Sequence, residues 1–365
     1  MRVRRSFTLS HLIATARFAI EAFCSGSLPR YGGKYSQKFS SSLTSFSGSK
    51  HAIPVSSGTA AIFIMLQAIK QRGKNCVAIP RFTDPGVLNS CDLLGIRFGI
   101  ISGKQDGYPF DSEDLRRYLS ENPQTDTLLY THVGGYLQPD ISEIIDLCAS
   151  KNILLLEDAS QGFGYKDNNY TIGRFGELAA ISMMGSKLVV SGTQGGAVLV
   201  NNDSFFPEVK LLVDRGKTML EDNRRDYVRK GLNFNLCEFS CCLGIVSLHQ
   251  ASDVILKRQQ IASRIGYHCS GFKKLKLITD QTSAYWFVIG RIVDERAVKY
   301  VEKNEFLEYP YLGDIFTFES FLRLHGIPRE KKISNLFVIR IHESMHRSEV
   351  NKIIAALNLI ETEAR

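Results

Sequence analysis

From about residue 50 onwards, short apolar runs alternate with stretches whose apolar residues recur every three or four positions. That is the pattern of strand–helix units laid around a mainly parallel sheet. The apolar runs predict strands at 76–80, 127–131, 153–156, 178–183 and 197–200, and the helical periodicity predicts helices at 59–70, 111–120, 141–150 and 238–250. After about residue 252 the pattern changes to short strands, at 286–292 and 336–341, with helices between them. The reading is an α/β fold: a large domain over 1–250, with an N-terminal helix and arm within 1–50, and a smaller α+β domain over 251–365. The charged stretch from 203 to 235 reads as a crossing between two parts of the chain, and the serine-rich stretch from 36 to 49 as a helix and loop. Near the start, Leu12, Ile13, Phe18 and Ile20 predict an amphipathic helix. Arg2, Arg4, Arg5 and Arg17, with no acid before Glu21, also suit a transit segment.

Composition narrows the class. The chain has 365 residues, 44% of them hydrophobic and 22% charged, which excludes a disordered or collagen-like protein. No apolar stretch reaches the roughly 18–20 residues that span a bilayer. Lysine plus arginine outnumber aspartate plus glutamate by 45 to 37, and the excess is dispersed, which suits an acidic small ligand as well as a polymer. No aromatic–basic module of a nucleic-acid binder accompanies it. The eight cysteines form no CxxC pair, so they read as reduced thiols in a cytoplasmic protein. Cys237, Cys241 and Cys242 lack partners at metal-ligand spacing, and no metal is expected. Cys241 and Cys242, with Gly244, read as small side chains on a helix that suits close packing across a subunit interface.

Four segments carry candidate chemistry. Ser57-Gly58-Thr59 opens a fully apolar helix, whose free amides at the positive end of the dipole would seat a phosphate; Thr59 as a plain N-cap is the alternative. The apolar run ending in Glu157-Asp158 delivers two carboxylates to the edge where α/β sheets bind ligands. Asp158 could pair with a cationic nitrogen there or cap the next helix. The run ending in Ser182 leads through a small-residue turn to Lys187, either a desolvated amine fit for Schiff-base chemistry or a surface lysine. The fourth segment is Gly231-Leu232-Asn233-Phe234. A phosphate seat, a carboxylate and a lysine, in that order on an alternating chain, form the constellation that pyridoxal phosphate requires.

At these residues the chain resembles the DegT/DnrJ/EryC1/StrS sugar aminotransferases, which have the type I fold of pyridoxal-phosphate enzymes. The likeness covers roughly residues 25–270. Ser57-Gly58-Thr59-Ala60-Ala61, His132-Val133-Gly134-Gly135, Glu157-Asp158-Ala159-Ser160-Gln161, the run from Ser182 to Lys187, Gly195-Gly196-Ala197-Val198 and Gly231-Leu232-Asn233-Phe234 are each similar to a family segment. The resemblance implies that Lys187 holds the cofactor covalently and moves the proton, that Asp158 pairs with the ring nitrogen, and that Gln161 sits by the ring hydroxyl. It implies that Gly58, Thr59 and Ser182 hold the phosphate, with Asn233 reaching across from the second subunit of a homodimer. Lysine at 187 argues against the family's dehydratase branch, which carries histidine there.

The implied activity is transfer of an amino group from glutamate onto a nucleotide-linked keto-sugar, as in polysaccharide biosynthesis. The alternative is a member that keeps the fold without transaminating and binds a sugar nucleotide or a protein partner. The chain also departs from the family. Asp84 stands where an aromatic stacks on the cofactor, leaving Phe82 to take over or the stacking to be lost. Asn235 stands where a basic residue is common, and Met183-Met184 replaces an aromatic pair. The region after 270 is short and lacks a recognisable histidine–tyrosine segment. Arg215 and the basic run to Lys230 are candidates to meet a diphosphate, or a solvated face, and Tyr31-Gly32-Gly33 lies where the family's N-terminal segment borders the site.

Overall fold

The computed structural model describes residues 8–25, 32–103, 110–167, 169–279, 283–311, 313–328 and 335–363. Arg2, Arg4, Arg5 and Tyr31, named above, lie outside them. Helices α1 (Leu9–Ser25) and α2 (Lys34–Ser47) lead into a seven-stranded sheet. Its strands are β1 (His51–Val55), β2 (Cys76–Pro80), β3 (Arg97–Ile101), β4 (Thr127–Thr131), β5 (Leu154–Asp158), β6 (Leu178–Ser182) and β7 (Gly196–Val200), in the spatial order β1-β7-β6-β5-β4-β2-β3. β3, β2, β4, β5 and β6 pair in parallel, and β7 runs antiparallel between β6 and β1. Helices α3 (Gly58–Lys70), α4 (Pro85–Leu94), α5 (Ser112–Glu121) and α6 (Ile141–Ser150) make the crossovers.

The strands are apolar on both faces because both are covered. Leu155, Ala179, Ala197 and Leu199 belong to one buried cluster, with Phe39 and Leu43 of α2, whereas Leu156, Ala180, Val198 and Val200 join Ile64 and Met65 of α3 in another. Adjacent residues thus alternate between two cores, as the strand repeat requires.

Helix α7 (Phe206–Val213) and the hairpin β8 (Lys217–Met219) with β9 (Arg225–Tyr227) occupy the charged crossing, followed by α8 (Glu238–His249) and α9 (Ala251–Cys269). The smaller α+β domain holds β10 (Leu275–Ile278), β11 (Phe287–Ile292), α10 (Val298–Glu302), β12 (Leu307–Glu308), β13 (Leu336–Arg340) and α12 (Arg347–Glu363), while α11 (Glu319–Leu324), between β12 and β13, packs through Leu322 into the large sheet's core. Its antiparallel sheet has the order β10-β11-β13-β12 and its own core.

The predicted first helix is present, but its inward face differs from the expected one. His11, Phe18 and Ala22 are buried, while Leu12, Ile13 and Ile20 are exposed. Positions 11, 18 and 22 fall on one side of a 3.6-residue repeat, and that side meets α8. The close packing expected around Gly244 lies within the chain: a β-carbon there would come 2.4 Å from the ring of Phe39 on α2. Among the described residues no single helix is long and apolar enough to cross a membrane, and no group of acid, histidine and cysteine side chains could hold a metal.

Candidate active site

The parallel strands bring their carboxyl ends to one edge of the sheet, and β1, which runs the same way as β6, brings Val55 there too. At that edge Val55 and Ser182 both register with Gly196. Helix α3 begins just beyond β1. Its cap is Ser57, whose side chain accepts a hydrogen bond from the Ala60 amide at 3.0 Å, so Thr59 is free of the capping role. Glycine is required at 58: a β-carbon there would lie 2.7 Å from Cβ of Ser182. The start of the helix and the end of β6 are therefore in contact, which gathers Gly58, Thr59 and Ser182 at a helix start where the Gly58 and Thr59 amides have no acceptor among the described residues.

Asp158 ends β5, buried, and accepts from the Ser160 amide at 3.0 Å. Burial raises its pKa, while the bonds from Ser160 and the charge of Lys187 oppose the rise. Lys187 is 8% exposed. Burial pulls its amine down to about 8, against the upward pull of Asp158 and Asp84, while Arg340 adds to the depression. The surface-lysine alternative is excluded.

The residue beside Asp158 has a different task. Glu157 is fully buried and accepts from the amides of Gly173, Phe175 and Gly176. It also lies 2.9 Å from Nε2 of His132. Nδ1 of His132 is buried without a hydrogen-bond partner among the described residues, which fits a proton carried on Nε2 and donated to Glu157. After His132 the chain turns through Gly134 and Gly135, at φ 67° and 82°, values that favour glycine. Gln161 accepts from the Gly134 amide at 2.6 Å. The carbonyls of Gly134 and Gly135 accept from the amides of Trp286 and Ala284, each at 3.0 Å, so this turn docks the segment that leads into β11.

That docking brings in residues that no motif marked. Nζ of Lys187 lies 3.8 Å from the centroid of the Trp286 ring, and the Arg340 guanidinium lies 5.7 Å from the same ring. Arg340 is paired with Glu308 at 2.8 Å. Tyr311 is buried, stacks on Phe82 with centroids 6.1 Å apart and bonds Gln161; burial pushes its phenol well above the usual range. Residues 15–358 match the model of the DegT/DnrJ/EryC1/StrS aminotransferase family.

The chain belongs to that family. It is 24% identical over 267 residues to the GDP-perosamine synthase of Escherichia coli O157:H7, covering 72% of each chain. Across three GDP-perosamine synthases the matched segment takes in 60–72% of the relative's own length. Among solved structures, Helicobacter pylori PseC, an aminotransferase involved in the biosynthesis of pseudoaminic acid, superposes with a TM-score of 0.86 at 17% identity, over 99% of this chain and 98% of that one. A GDP-4-keto-6-deoxymannose-3-dehydratase with a trapped PLP-glutamate geminal diamine gives 0.85 at 17% identity, over 98% and 99%. At these identities the likeness is one of fold: the type I fold of pyridoxal-phosphate enzymes.

Against the family pattern, Phe82 is committed to Tyr311 and to the small domain's core, and Asp84 caps α4 through the Gly86 amide at 2.8 Å. Asn233 is exposed on a segment that runs beside the end of β1, where Ser56 donates to the Phe234 carbonyl, and its side-chain oxygen accepts from Asn235. Much of the basic run is matched by nearby acids: Arg215 and Lys217 by Asp214, Arg224 by Asp222, and Arg229 by Glu208.

Proposed function

We propose that this chain is a pyridoxal-phosphate aminotransferase that transfers an amino group from glutamate to a keto-sugar carried on a nucleotide, for polysaccharide synthesis. The observation that carries the proposal is the buried amine of Lys187, coupled to the carboxylate of Asp158 beside the contact between Gly58 and Ser182. These residues fit the cofactor. A β-carbon at 196 would fall 2.4 Å from the Ser57 carbonyl oxygen and one at 58 would strike Ser182, so the backbone forms a cradle that only glycine leaves open. When bound there, pyridoxal phosphate supplies an electron sink for the bonds at the amino-bearing carbon.

The protein's own groups do the rest. Gly58, Thr59 and Ser182 hold the phosphate, Asp158 keeps the ring nitrogen protonated, and Gln161 meets the ring hydroxyl from its anchor on Gly134. Lys187 anchors the cofactor and carries the proton at Nζ. An amine that titrates near 8 is partly neutral at physiological pH, so it can both accept and donate. Asn233 completes the phosphate seat of the partner in a homodimer, residues 1–250 carry the cofactor, and residues 251–365 wall the substrate side. The setting is cytoplasmic.

Asp84 favours a second reading, a member that binds a sugar nucleotide or a protein partner without transaminating, because it places a carboxylate where relatives stack an aromatic. The buried Lys187–Asp158 couple weighs against it. The deciding experiment adds pyridoxal phosphate to the purified protein. A visible absorbance band that borohydride fixes onto the peptide containing Lys187, followed by 2-oxoglutarate release from glutamate with nucleotide-linked keto-sugars, supports the enzyme. Protein that stays colourless with the cofactor refutes it.

A further inference from the structure

Trp286 is the only tryptophan in the chain, and its placement is unusually constrained. Its amide donates to the Gly134 carbonyl at 3.0 Å, and its indole N–H donates to the Ser186 carbonyl at 3.0 Å, one residue before the lysine. Its carbonyl accepts from the buried Arg258 at 3.3 Å, and Arg258 is itself held by Glu343 at 3.0 Å. The preceding residue, Tyr285, is buried at φ 48°, a left-handed conformation that a bulky side chain adopts only when its surroundings enforce it. Strain and hydrogen bonds together fix the ring plane, and the ring face ends 3.8 Å from Nζ of Lys187.

From this geometry we infer that Trp286 is a positioning residue for the reactive amine: its ring face holds the Lys187 ammonium by a cation–π contact and sets how readily that amine gives up its proton. The inference rests on the reading of Lys187 as the reactive lysine and adds an aromatic partner delivered from the small domain, in a chain whose residue 84 supplies none. A cation on the face of an indole is stabilised over the neutral amine, most strongly where water is excluded. The groups that act on the same amine are Asp158 from β5 and Asp84 from the start of α4, which favour its charge, and Arg340 from β13, itself paired with Glu308, which disfavours it. Trp286 therefore joins the two carboxylates on the side of the ammonium, without adding a charge that would compete for substrate.

The test uses the full-length protein freed of vitamin B6. Selective excitation of tryptophan reports this one ring, so its emission should titrate with a midpoint at about 8, and the titration should vanish in Lys187→Met. In parallel, pulse methylation of Lys187 at a series of pH values, read by peptide mass spectrometry, should show the amine titrating about one pH unit lower in Trp286→Leu than in the wild type. Trp286→Phe, which keeps a ring face, should stay close to the wild type. The inference is overturned if the emission titration is absent, if it persists in Lys187→Met, or if Trp286→Leu and Trp286→Phe titrate alike. None of these readouts involves the cofactor, so a protein that failed to bind pyridoxal phosphate would sink the enzyme reading and leave this one to stand or fall separately.

Discussion

Glu157 and Asp158, consecutive at the end of β5, serve opposite sides of the strand: Glu157 gathers the amides of Gly173, Phe175 and Gly176, and Asp158 faces Lys187. One carboxylate holds a loop and the other holds a charge in the crevice. The two-residue repeat of a strand makes the division unavoidable.

Replacing each should separate stability from chemistry. Glu157→Gln puts an NH2 group among backbone donors in a fully buried site, at a cost of about 3 kcal/mol or more in unfolding free energy, read by urea denaturation. Asp158→Asn keeps the shape, removing one buried charge while taking the counter-charge from Lys187, and should cost less stability than Glu157→Gln while lowering the transamination rate by roughly 100-fold or more. If Glu157→Gln keeps its stability and Asp158→Asn loses it, the assignment is reversed.

Lys187 predicts a pH-dependent stability. Its amine titrates at about 8 in the folded chain against an ordinary 10.5, so the folded state disfavours the ammonium. The unfolded chain holds the proton more tightly, and stability therefore rises as pH climbs from about 8 to about 10.5. Below that window the buried charge costs roughly 3 kcal/mol. Cofactor-free Lys187→Met should be more stable than the wild type at pH 7, by less than that figure because Asp158 loses its counter-charge, and the advantage should shrink by pH 10. A difference in denaturation midpoint that stays constant across the window would contradict this account.

The order of phosphate seat, carboxylate and lysine could be read from the chain because each stands at a strand end or helix start that periodicity marks. Gly58, Asp158, Ser182 and Lys187 each follow an apolar run or open one, and the sheet gathers such ends by construction. Trp286, Tyr311 and Arg340 could not be found in that way. They come from in and around an antiparallel sheet more than 90 residues on, which docks at Gly134 and Gly135, bringing Trp286 and Arg340 to Lys187 and Tyr311 to Gln161, and no local pattern encodes that docking. Both edge strands of the large sheet were also missed. His51–Val55 carries a proline and a histidine, and Arg97–Ile101 carries a glycine, compositions tolerated at sheet edges that weaken the strand signal. Helix α4 opens with Asp84-Pro85-Gly86, which reads as a turn until the cap from Asp84 is seen.

Asp84 can be dissected by two substitutions. Asp84→Asn retains a side-chain oxygen for the Gly86 amide and removes one of the charges that raise the Lys187 pKa. Its amine should titrate lower than in the wild type with little change in Tm. Asp84→Ala loses the cap as well and should cost about 1 kcal/mol more. Equal amine titration in wild type and Asp84→Asn would show that this carboxylate does not act on the lysine.

Arg81 and Asp314 join the loop after β2 to the segment between β12 and β13 through two bonds of 2.8 Å, with Asp314 fully buried. The loop that holds Phe82 and Asp84 is tied there a second time, by the Thr83 amide on the Gly313 carbonyl at 3.0 Å. Asp314→Ala leaves a guanidinium in a mostly buried site, and about 3–5 kcal/mol of stability should be lost. The double variant Arg81→Met with Asp314→Ala should recover part of that loss, since it removes the stranded charge. Equal urea midpoints for the single and double variants would place the energy of this contact elsewhere.

Gly58 tests the cradle itself. Alanine is favoured over glycine in a helix by up to about 1 kcal/mol, so on propensity alone Gly58→Ala should stabilise α3. The added β-carbon, however, would sit 2.7 Å from Cβ and 3.2 Å from Cα of Ser182, and the second of these is backbone of a central strand that cannot swing aside. Relief has to come from moving the start of α3 away from β6, which opens the gap that the first-turn amides and the Ser182 hydroxyl bridge together. The expected result is a fold that survives with a Tm lowered by a few degrees and a pyridoxal-phosphate affinity lowered about tenfold or more, measured by absorbance titration, because a small displacement of several donors weakens all of them at once. Affinity equal to the wild type in Gly58→Ala would mean that the phosphate does not sit between the helix start and Ser182.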